Sequence, residues 1–140
     1  LLMAGAAPDL LKPPINVLRL SLHPQGLAPR IANLAQWRAH LLERLQQQVA
    51  ATGDAVLEAL HDELAAYPVA GPGRDATPAG GELAGVVVPF QLAMPSGVLS
   101  FISTTTVFGT PVDVTLQELA VESFFPADAQ TAAALGALAR

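Results

Sequence analysis

Residues 99–126 read LSFISTTTVFGTPVDVTLQELAVESFFP, and this stretch decides the fold because it combines dense β-branched and aromatic content with alternating side chains. Such residues fit the pleated surface of a strand, and period-2 alternation is typical of a half-buried sheet. Gly109-Thr110-Pro111 predicts a turn, since glycine tolerates positive φ and proline donates no N–H to a ladder. The stretch therefore predicts a β-hairpin. A bulge near Gln117-Glu118 would keep the apolar residues of the returning strand on one face.

Two further segments predict strands that would extend this hairpin, which alone would be only marginally stable in water. Residues 83–94 alternate in hydrophobicity, and Pro95-Ser96-Gly97 predicts a tight turn from them into the hairpin. Pro89 places that strand at a sheet edge or at a bulge. Residues 15–23, INVLRLSLH, also alternate and predict the first strand. We therefore expect an α+β fold whose antiparallel sheet has four or more strands.

The helical signals lie between and after these strands. Asn33 predicts the cap of a helix over residues 34–51, and Asp54 predicts the cap of a second helix that ends at Ala66. The first helix carries one apolar stripe, formed by Leu34, Trp37, Leu41, Leu45 and Val49. A third helix is predicted over residues 127–139, with Pro126 in its first turn. Residues 68–81 are rich in proline and glycine and predict a loop.

Length and composition limit the classes of function. The chain has 140 residues, of which 51% are hydrophobic, so we expect one domain with a sizeable core over residues 1–140. Its net charge of −5 offers no electrostatic footprint for DNA phosphates. There is no cysteine, and no segment has the length of a membrane span. Because residue 1 is leucine, we expect the chain to be a domain cut from a longer protein.

No local motif predicts catalysis or metal binding. His23, His40 and His61 lack the spacing of a zinc site, and no phosphate-binding loop or nucleophile elbow is present. Glu118 and Glu122 would share one face of a strand, where the expectation is a solvated charge row. Arg19, between leucines, must face water or find an acidic partner. We therefore expect a protein that is not an enzyme and that carries no metal and no cofactor.

Two long phrases resemble a known family. Residues 13–45, PPINVLRLSLHPQGLAPRIANLAQWRAHLLERL, and residues 99–128, LSFISTTTVFGTPVDVTLQELAVESFFPAD, are similar to the MmyB-like ligand-binding domain that follows an Xre-type helix-turn-helix in many bacterial transcription regulators. The resemblance implies a PAS-like fold, in which helices cover an antiparallel sheet around a hydrophobic pocket. It also implies fatty acids or similar apolar molecules as effectors, and a DNA-binding domain before Leu1.

The resemblance thus predicts a cytoplasmic, effector-sensing regulatory domain that reaches DNA only through its missing N-terminal partner domain. One rival hypothesis is a dimerisation module whose core is filled and takes no ligand, and a homodimer is compatible with both. A third hypothesis is an enzyme built on the same scaffold, since a fold does not decide function.

The apolar sets of the predicted elements define a candidate pocket between the helical stripe and the inward face of the sheet. Sites for apolar ligands are mostly hydrophobic and are oriented by a few polar groups. Arg38 and His40 flank Trp37 and would meet a carboxylate head at the pocket mouth, with solvated helix residues as the alternative. The predicted ligand-binding residues are Leu18, Leu20, Leu22, Trp37, Arg38, His40, Leu41, Leu45, Phe90 and Phe101.

Overall fold

The computed structural model describes residues 5–69, 87–107 and 120–138. These residues form four α-helices and a three-stranded antiparallel sheet, so the described part of the chain has the predicted α+β fold. The chain divides into two compact units, Leu1–Ala84 and Gly85–Arg140, here called the N-terminal and C-terminal units.

The N-terminal unit is helical. It contains α1 (Val17–Leu22), α2 (Leu34–Thr52) and α3 (Ala55–Ala66), together with short 3-10 turns at Pro8–Leu11 and Ala28–Arg30. Gly53 ends α2 in the left-handed conformation, with φ of 65°, and its N–H donates to the Val49 carbonyl. Asp54 then caps α3 by accepting a hydrogen bond from the Val56 N–H at 2.7 Å. Both predicted helices and the break between them are confirmed. The predicted Asn33 cap is wrong, because the Asn33 side chain makes no capping hydrogen bond to α2 and its Nδ2 donates to Gln36 Oε1 at 3.1 Å.

Residues 15–23 do not form the predicted first strand, because Val17–Leu22 is the helix α1. The side chain of Asn16 accepts hydrogen bonds from the N–H groups of Leu18 and Arg19, which starts the helix. In a six-residue helix, alternating leucines still reach the core, and Leu20 and Leu22 are both buried. The alternation was therefore compatible with either structure, and the Asn16 cap favours the helix.

Gly26 holds α1 close to the chain that follows it. A Cβ atom at this position would lie 2.2 Å from the Leu20 carbonyl oxygen, so only glycine fits. The close approach allows the N–H of Leu27 to donate to that carbonyl at 2.8 Å and the N–H of Gly26 to donate to the His23 carbonyl. This turn therefore satisfies the C-terminal carbonyls of α1 and returns the chain toward α2.

The C-terminal unit contains β1 (Phe90–Met94), β2 (Gly97–Val107), β3 (Ala120–Pro126) and α4 (Ala129–Leu138). The strand order is β1-β2-β3. The predicted turn at Pro95-Ser96-Gly97 is present but shorter, because Gly97 already belongs to β2 and pairs with Met94. The strand predicted over residues 83–94 begins only at Phe90, so Pro89 lies just outside it, and residues 83–86 lie outside the described part of the chain. β1 lies at an edge of the described sheet, which is one of the two alternatives that Pro89 predicted. The described sheet has three strands, fewer than the four or more that we expected.

The antiparallel pairing of the predicted hairpin is confirmed, but its register differs from the prediction. A three-residue turn at Gly109-Thr110-Pro111 would set Thr106 opposite Val114, whereas Thr106 pairs with Val121. The predicted turn and the bulge near Gln117-Glu118 lie outside the described residues. The alternation of side chains therefore indicated two strands but did not determine which residues pair.

The last helix begins later than predicted, because Pro126 belongs to β3 and pairs with Phe101. Asp128 caps α4 by accepting a hydrogen bond from the Thr131 N–H at 2.6 Å. The Thr131 side chain is fully buried, and its Oγ1 accepts from the backbone N–H of Ser100 in β2 at 2.9 Å. The helix thus provides an acceptor for the backbone N–H of Ser100, which lies beyond the end of the β2–β3 pairing.

Candidate functional site

The apolar stripe of α2 is the first part of the candidate site, and the structure confirms that it faces the core of the N-terminal unit. Trp37, Leu41 and Leu45 are buried, as their spacing predicts for one face of a helix. The other buried leucines of the unit come from α1 and α3: Leu20, Leu22, Leu60 and Leu64. Leu18, also predicted to line the pocket, is only partly buried.

Trp37 is fixed in this stripe by a polar contact at its edge. Its indole Nε1–H donates to Ser21 Oγ of α1 at 3.0 Å, so the buried ring has a partner for its only donor. The His40 ring, also on α2, lies at a centroid distance of 5.6 Å with a tilt of 37°. The ring of Trp37 thus has a polar contact to α1 and a ring contact within α2. Sequence reasoning did not identify Ser21.

Arg38 lies one position after Trp37 and reaches across to α3. Its Nη2 donates to the carbonyl oxygen of Ala65 at 2.6 Å, in the last turn of α3, where helix carbonyls lack intrahelical partners. Its Nε is buried and has no hydrogen-bond partner among the described residues. An unsatisfied buried donor is costly and calls for an explanation, such as a missing acceptor. On this edge of the Arg38 guanidinium, Nη2 therefore has an acceptor, and Nε has none among the described residues.

In a second arginine, Arg19, the two donors on one edge of the guanidinium, Nε and Nη2, both have an acceptor. Arg19 donates from Nε and Nη2 to the two carboxylate oxygens of Glu63, at 2.8 and 2.7 Å. Tyr67 donates its phenol O–H to the same carboxylate at 2.5 Å, and the ring of His23 contacts that of Tyr67 edge to face at 5.1 Å. Of the two predicted alternatives for Arg19, water or an acidic partner, the structure shows an acidic partner, while the side chain stays 44% exposed. Glu63 and Tyr67 carried no sequence signal, because the pairing joins residues 44 positions apart.

These contacts shift the acid–base behaviour of the cluster. Hydrogen bonds from Arg19 and then from Tyr67 lower the pKa of Glu63 to about 2. Burial, followed by the hydrogen bond to the Glu63 carboxylate, raises the pKa of Tyr67 to about 12. Glu63 is thus an ion and Tyr67 a neutral donor at neutral pH. This arrangement ties α1 to the end of α3.

The sheet supplies the other part of the candidate site. Phe90 and Phe101 are register partners, so their side chains share a face, and their ring centroids are 6.2 Å apart. Phe124 lies on the same face, because it pairs with Ser103, and its ring is 6.0 Å from that of Phe90. The sequence analysis did not predict Phe124 as a site residue, because its place on this face depends on the β2–β3 register, which only the structure shows. Leu92 and Leu99, also partners on this face, are both buried.

The predicted ligand-binding residues thus fall into two groups, one in each unit. Trp37, Arg38, His40, Leu41 and Leu45 lie on α2 with the α1 leucines nearby in the chain, whereas Phe90 and Phe101 lie on the sheet. The hypothesis that one pocket combines both groups stays a prediction.

No metal-binding cluster is seen in residues 5–69, 87–107 and 120–138. No group of three or more histidine, aspartate or glutamate side chains lies close enough to hold a metal ion. His61 Nδ1 lies 3.4 Å from its neighbour Asp62, and Glu122 is exposed. Glu118 lies outside the described residues. No described helix is long and apolar enough to span a membrane.

A family model covers nearly the whole chain, including both groups of candidate residues. It describes the MmyB-like transcription regulator ligand binding domain and matches residues 1–138. This chain belongs to that family. The MmyB-like domain is therefore a regulatory, ligand-binding domain of the transcription regulator type. Searches of curated proteins and of solved structures each returned no significant match.

Proposed function

We propose that this MmyB-like domain senses an apolar small molecule with a carboxylate head, such as a long-chain fatty acid, for a bacterial helix-turn-helix regulator. A separate N-terminal domain of the Xre type would contact DNA, and the regulator would act in the cytoplasm. The ligand would bind one arrangement of the regulator better than another and so shift the population between them. No catalysis is part of this proposal.

The observation that carries the proposal is Arg38, whose buried Nε donor has no partner among the described residues and lies next to an apolar helix face. Arg38 and Leu41 are three positions apart on α2, so their side chains are neighbours on the helix surface. An apolar chain beside Leu41 and Leu45 would leave its carboxylate near a guanidinium, which binds carboxylates through two parallel hydrogen bonds. His40 flanks the stripe on the opposite side and would contribute a further polar contact.

The proposed ligand contacts are those predicted from the sequence. Their supporting observations are the burial of the α2 stripe, the orientation of Trp37 by Ser21, and the ring cluster that joins Phe90 and Phe101. Phe124 is added to them because it lies on the same face of the sheet. The complete proposed set is Leu18, Leu20, Leu22, Trp37, Arg38, His40, Leu41, Leu45, Phe90, Phe101 and Phe124.

Trp37 provides the direct test, since it is the only tryptophan of the chain. A brominated stearate should quench its fluorescence in a saturable manner, because bromine quenches only at close range. The methyl ester of the same acid serves as the head-group control and should bind at least tenfold more weakly, the equivalent of one charge-assisted hydrogen bond. Equal quenching by acid and ester would contradict the role of Arg38, and no quenching would contradict the site.

Phe124 and Phe125 give a matched pair for the sheet. Both are about half exposed, at 48% and 54%, but they point to opposite faces of β3. Phe124→Ala should weaken uptake of the fatty acid several-fold, while Phe125→Ala should leave it unchanged. Equal effects of the two substitutions would show that the ring cluster does not contact the ligand.

Leu41→Trp tests the helical side of the site by filling it. Leu41 is buried in the stripe, so a larger side chain would occupy ligand volume, and we expect uptake of oleate in equilibrium dialysis to be abolished. Overpacking would cost about 1–3 kcal/mol of unfolding free energy, so thermal unfolding should remain cooperative at a lower midpoint. Ala39→Trp, at an exposed position of α2, is the control. Undiminished uptake by Leu41→Trp would show that this face does not bind the ligand.

The rival hypothesis of a dimerisation module also has an observation in its favour. β3 lies at an edge of the described sheet, and Val121, Phe124 and Phe125 on it are exposed apolar residues. Native mass spectrometry followed by solvent extraction separates the hypotheses. The sensor would release a co-purified lipid, whereas the module would be a dimer with no extractable molecule. An enzyme would consume an added lipid rather than retain it.

A further inference from the structure

Nε and Nη2 on one edge of an arginine guanidinium form a fork of two parallel donors. Arg19 and Arg38 lie in the same helical unit, and the acceptors bound to their forks differ. At Arg19 both donors bind the two oxygens of one carboxylate, that of Glu63. At Arg38 only Nη2 has an acceptor, the Ala65 carbonyl, and Nε has none among the described residues. The fork of Arg38 is thus half-filled. Arg19 shows within this chain which group fills such a fork completely.

A carboxylate that binds the fork of Arg38 would compete directly with α3. Bidentate binding uses Nε–H and Nη2–H together, so the Ala65 carbonyl would lose its place on Nη2. The exchange favours the ligand, because its charged carboxylate accepts two hydrogen bonds from the fork, whereas the neutral Ala65 carbonyl accepts one. Since Nε is inaccessible as the structure stands, the carboxylate reaches it only with a local rearrangement, and the end of α3 is bonded to the same fork.

The last turn of α3 ends in a weak backbone bond. The N–H of its C-cap residue, Tyr67, donates to the Leu64 carbonyl at a long 3.4 Å. A second side-chain tether at this end is the contact of Glu63 with Arg19 and Tyr67. Helix ends with long terminal bonds fray, and such local opening has a low free-energy cost. The residues that follow, from Pro68 onward, connect the N-terminal unit to the C-terminal unit in sequence.

We infer that Arg38 couples ligand capture to the end of α3: a carboxylate takes the guanidinium from the Ala65 carbonyl, and the last turn of α3 loosens. This inference rests on the proposed function, to which it adds the route by which binding is transmitted. Ligand binding is thereby read out where the chain leaves the N-terminal unit. The Arg19–Glu63 tether stays in place and keeps the rest of α3 on α1.

Hydrogen exchange measured by mass spectrometry on the 140-residue chain tests the tether first, without ligand. Arg38→Gln removes the fork, so amides in the fragment spanning residues 63–67 should exchange about three- to tenfold faster than in the wild type. The first turn of α3, capped by Asp54, is the internal control and should be unchanged. Unchanged exchange at residues 63–67 in Arg38→Gln would overturn the inference.

The second arm adds oleate, with binding monitored independently through Trp37 fluorescence. In the wild type, saturating oleate should accelerate exchange at residues 63–67 to about the level of Arg38→Gln. Arg38→Lys keeps the charge but not the fork, so its exchange at these residues should respond little to oleate. Binding without faster exchange would overturn this inference and leave the proposed function intact. Absence of binding would overturn both.

Discussion

Glu63 shows how one carboxylate organises the polar side of the helical unit. It accepts hydrogen bonds from Arg19 and Tyr67, and these bonds lower its pKa from 4.5 to about 2. The folded state therefore binds its proton less readily than the unfolded state does. By linkage, the stabilisation is complete above pH 4.5 and is lost as the pH falls toward 2.

We therefore expect the wild type to lose more stability than Glu63→Gln between pH 5 and pH 2. Because Glu63 is about one-third exposed, solvent screens the pair, and its contribution at neutral pH should be about 0.5–1 kcal/mol. Urea unfolding at a series of pH values measures the difference, which should shrink at high salt. Glu58→Gln, at an exposed position of α3, is the control. Parallel pH profiles for the wild type and Glu63→Gln would contradict the assignment.

Tyr67, the only tyrosine of the chain, reports on the same cluster from the alkaline side. Its phenol should ionise near pH 12 in the folded wild type, because burial and the Glu63 carboxylate both oppose the phenolate. In Glu63→Gln the midpoint should fall but remain above 10, since the contribution of burial persists. Absorbance of the phenolate measures the midpoint, with circular dichroism at each pH to verify folding. An identical midpoint in both proteins would mean that the carboxylate does not act on the phenol.

At the scale of the elements, α1 depends on one glycine. Gly26 has no room for a side chain, because a Cβ would meet the backbone of Leu20 and His23. The two hydrogen bonds that end α1, from Gly26 and Leu27, require this approach. The turn that follows α1 therefore tolerates no side chain at position 26, and the sequence analysis did not reveal this restriction.

Gly26→Ala should lower the free energy of unfolding by about 2 kcal/mol or more, because backbone atoms on both sides must shift. Gly136→Ala is the matched control, and we expect it to raise the free energy of unfolding instead of lowering it. Gly136 lies inside α4, and no atom of the described residues lies within 4 Å of a new Cβ, so the substitution should stabilise by up to about 1 kcal/mol. Chemical denaturation measures both changes. A neutral Gly26→Ala would mean that α1 does not pack against this turn.

For the whole molecule, the excess of acidic over basic residues disfavours binding to DNA. Seven basic residues are spread among twelve acidic ones, so the 140-residue chain should not retard duplex DNA in a mobility-shift assay at physiological salt. Phosphate contacts need a concentration of positive charge that this composition does not supply. A salt-sensitive shift by this chain alone would contradict the proposed division of labour with an N-terminal DNA-binding domain.

Local sequence signals were sufficient for the helix pair, for the break between its helices at Gly53 and Asp54, and for the buried stripe of α2. They were also sufficient for the α+β class and for the resemblance to the MmyB-like family. These features depend on local periodicity and on residues such as Gly53 and Asp54, whose effects act within a few positions of the chain. The burial of Trp37 and Leu41 followed from the same helical period.

The remaining features depend on the tertiary structure. INVLRLSLH fits a strand by its alternation and a short helix by its local Asn16 cap, and the close packing of Gly26 on the Leu20 backbone accompanies the helix. Alternation within two strands cannot specify which residues pair, so the β2–β3 register and the place of Phe124 required the fold. The pairing of Arg19 with Glu63 and the half-filled fork of Arg38 arise between helices distant in sequence. Because such contacts are set by packing geometry, no local pattern encodes them.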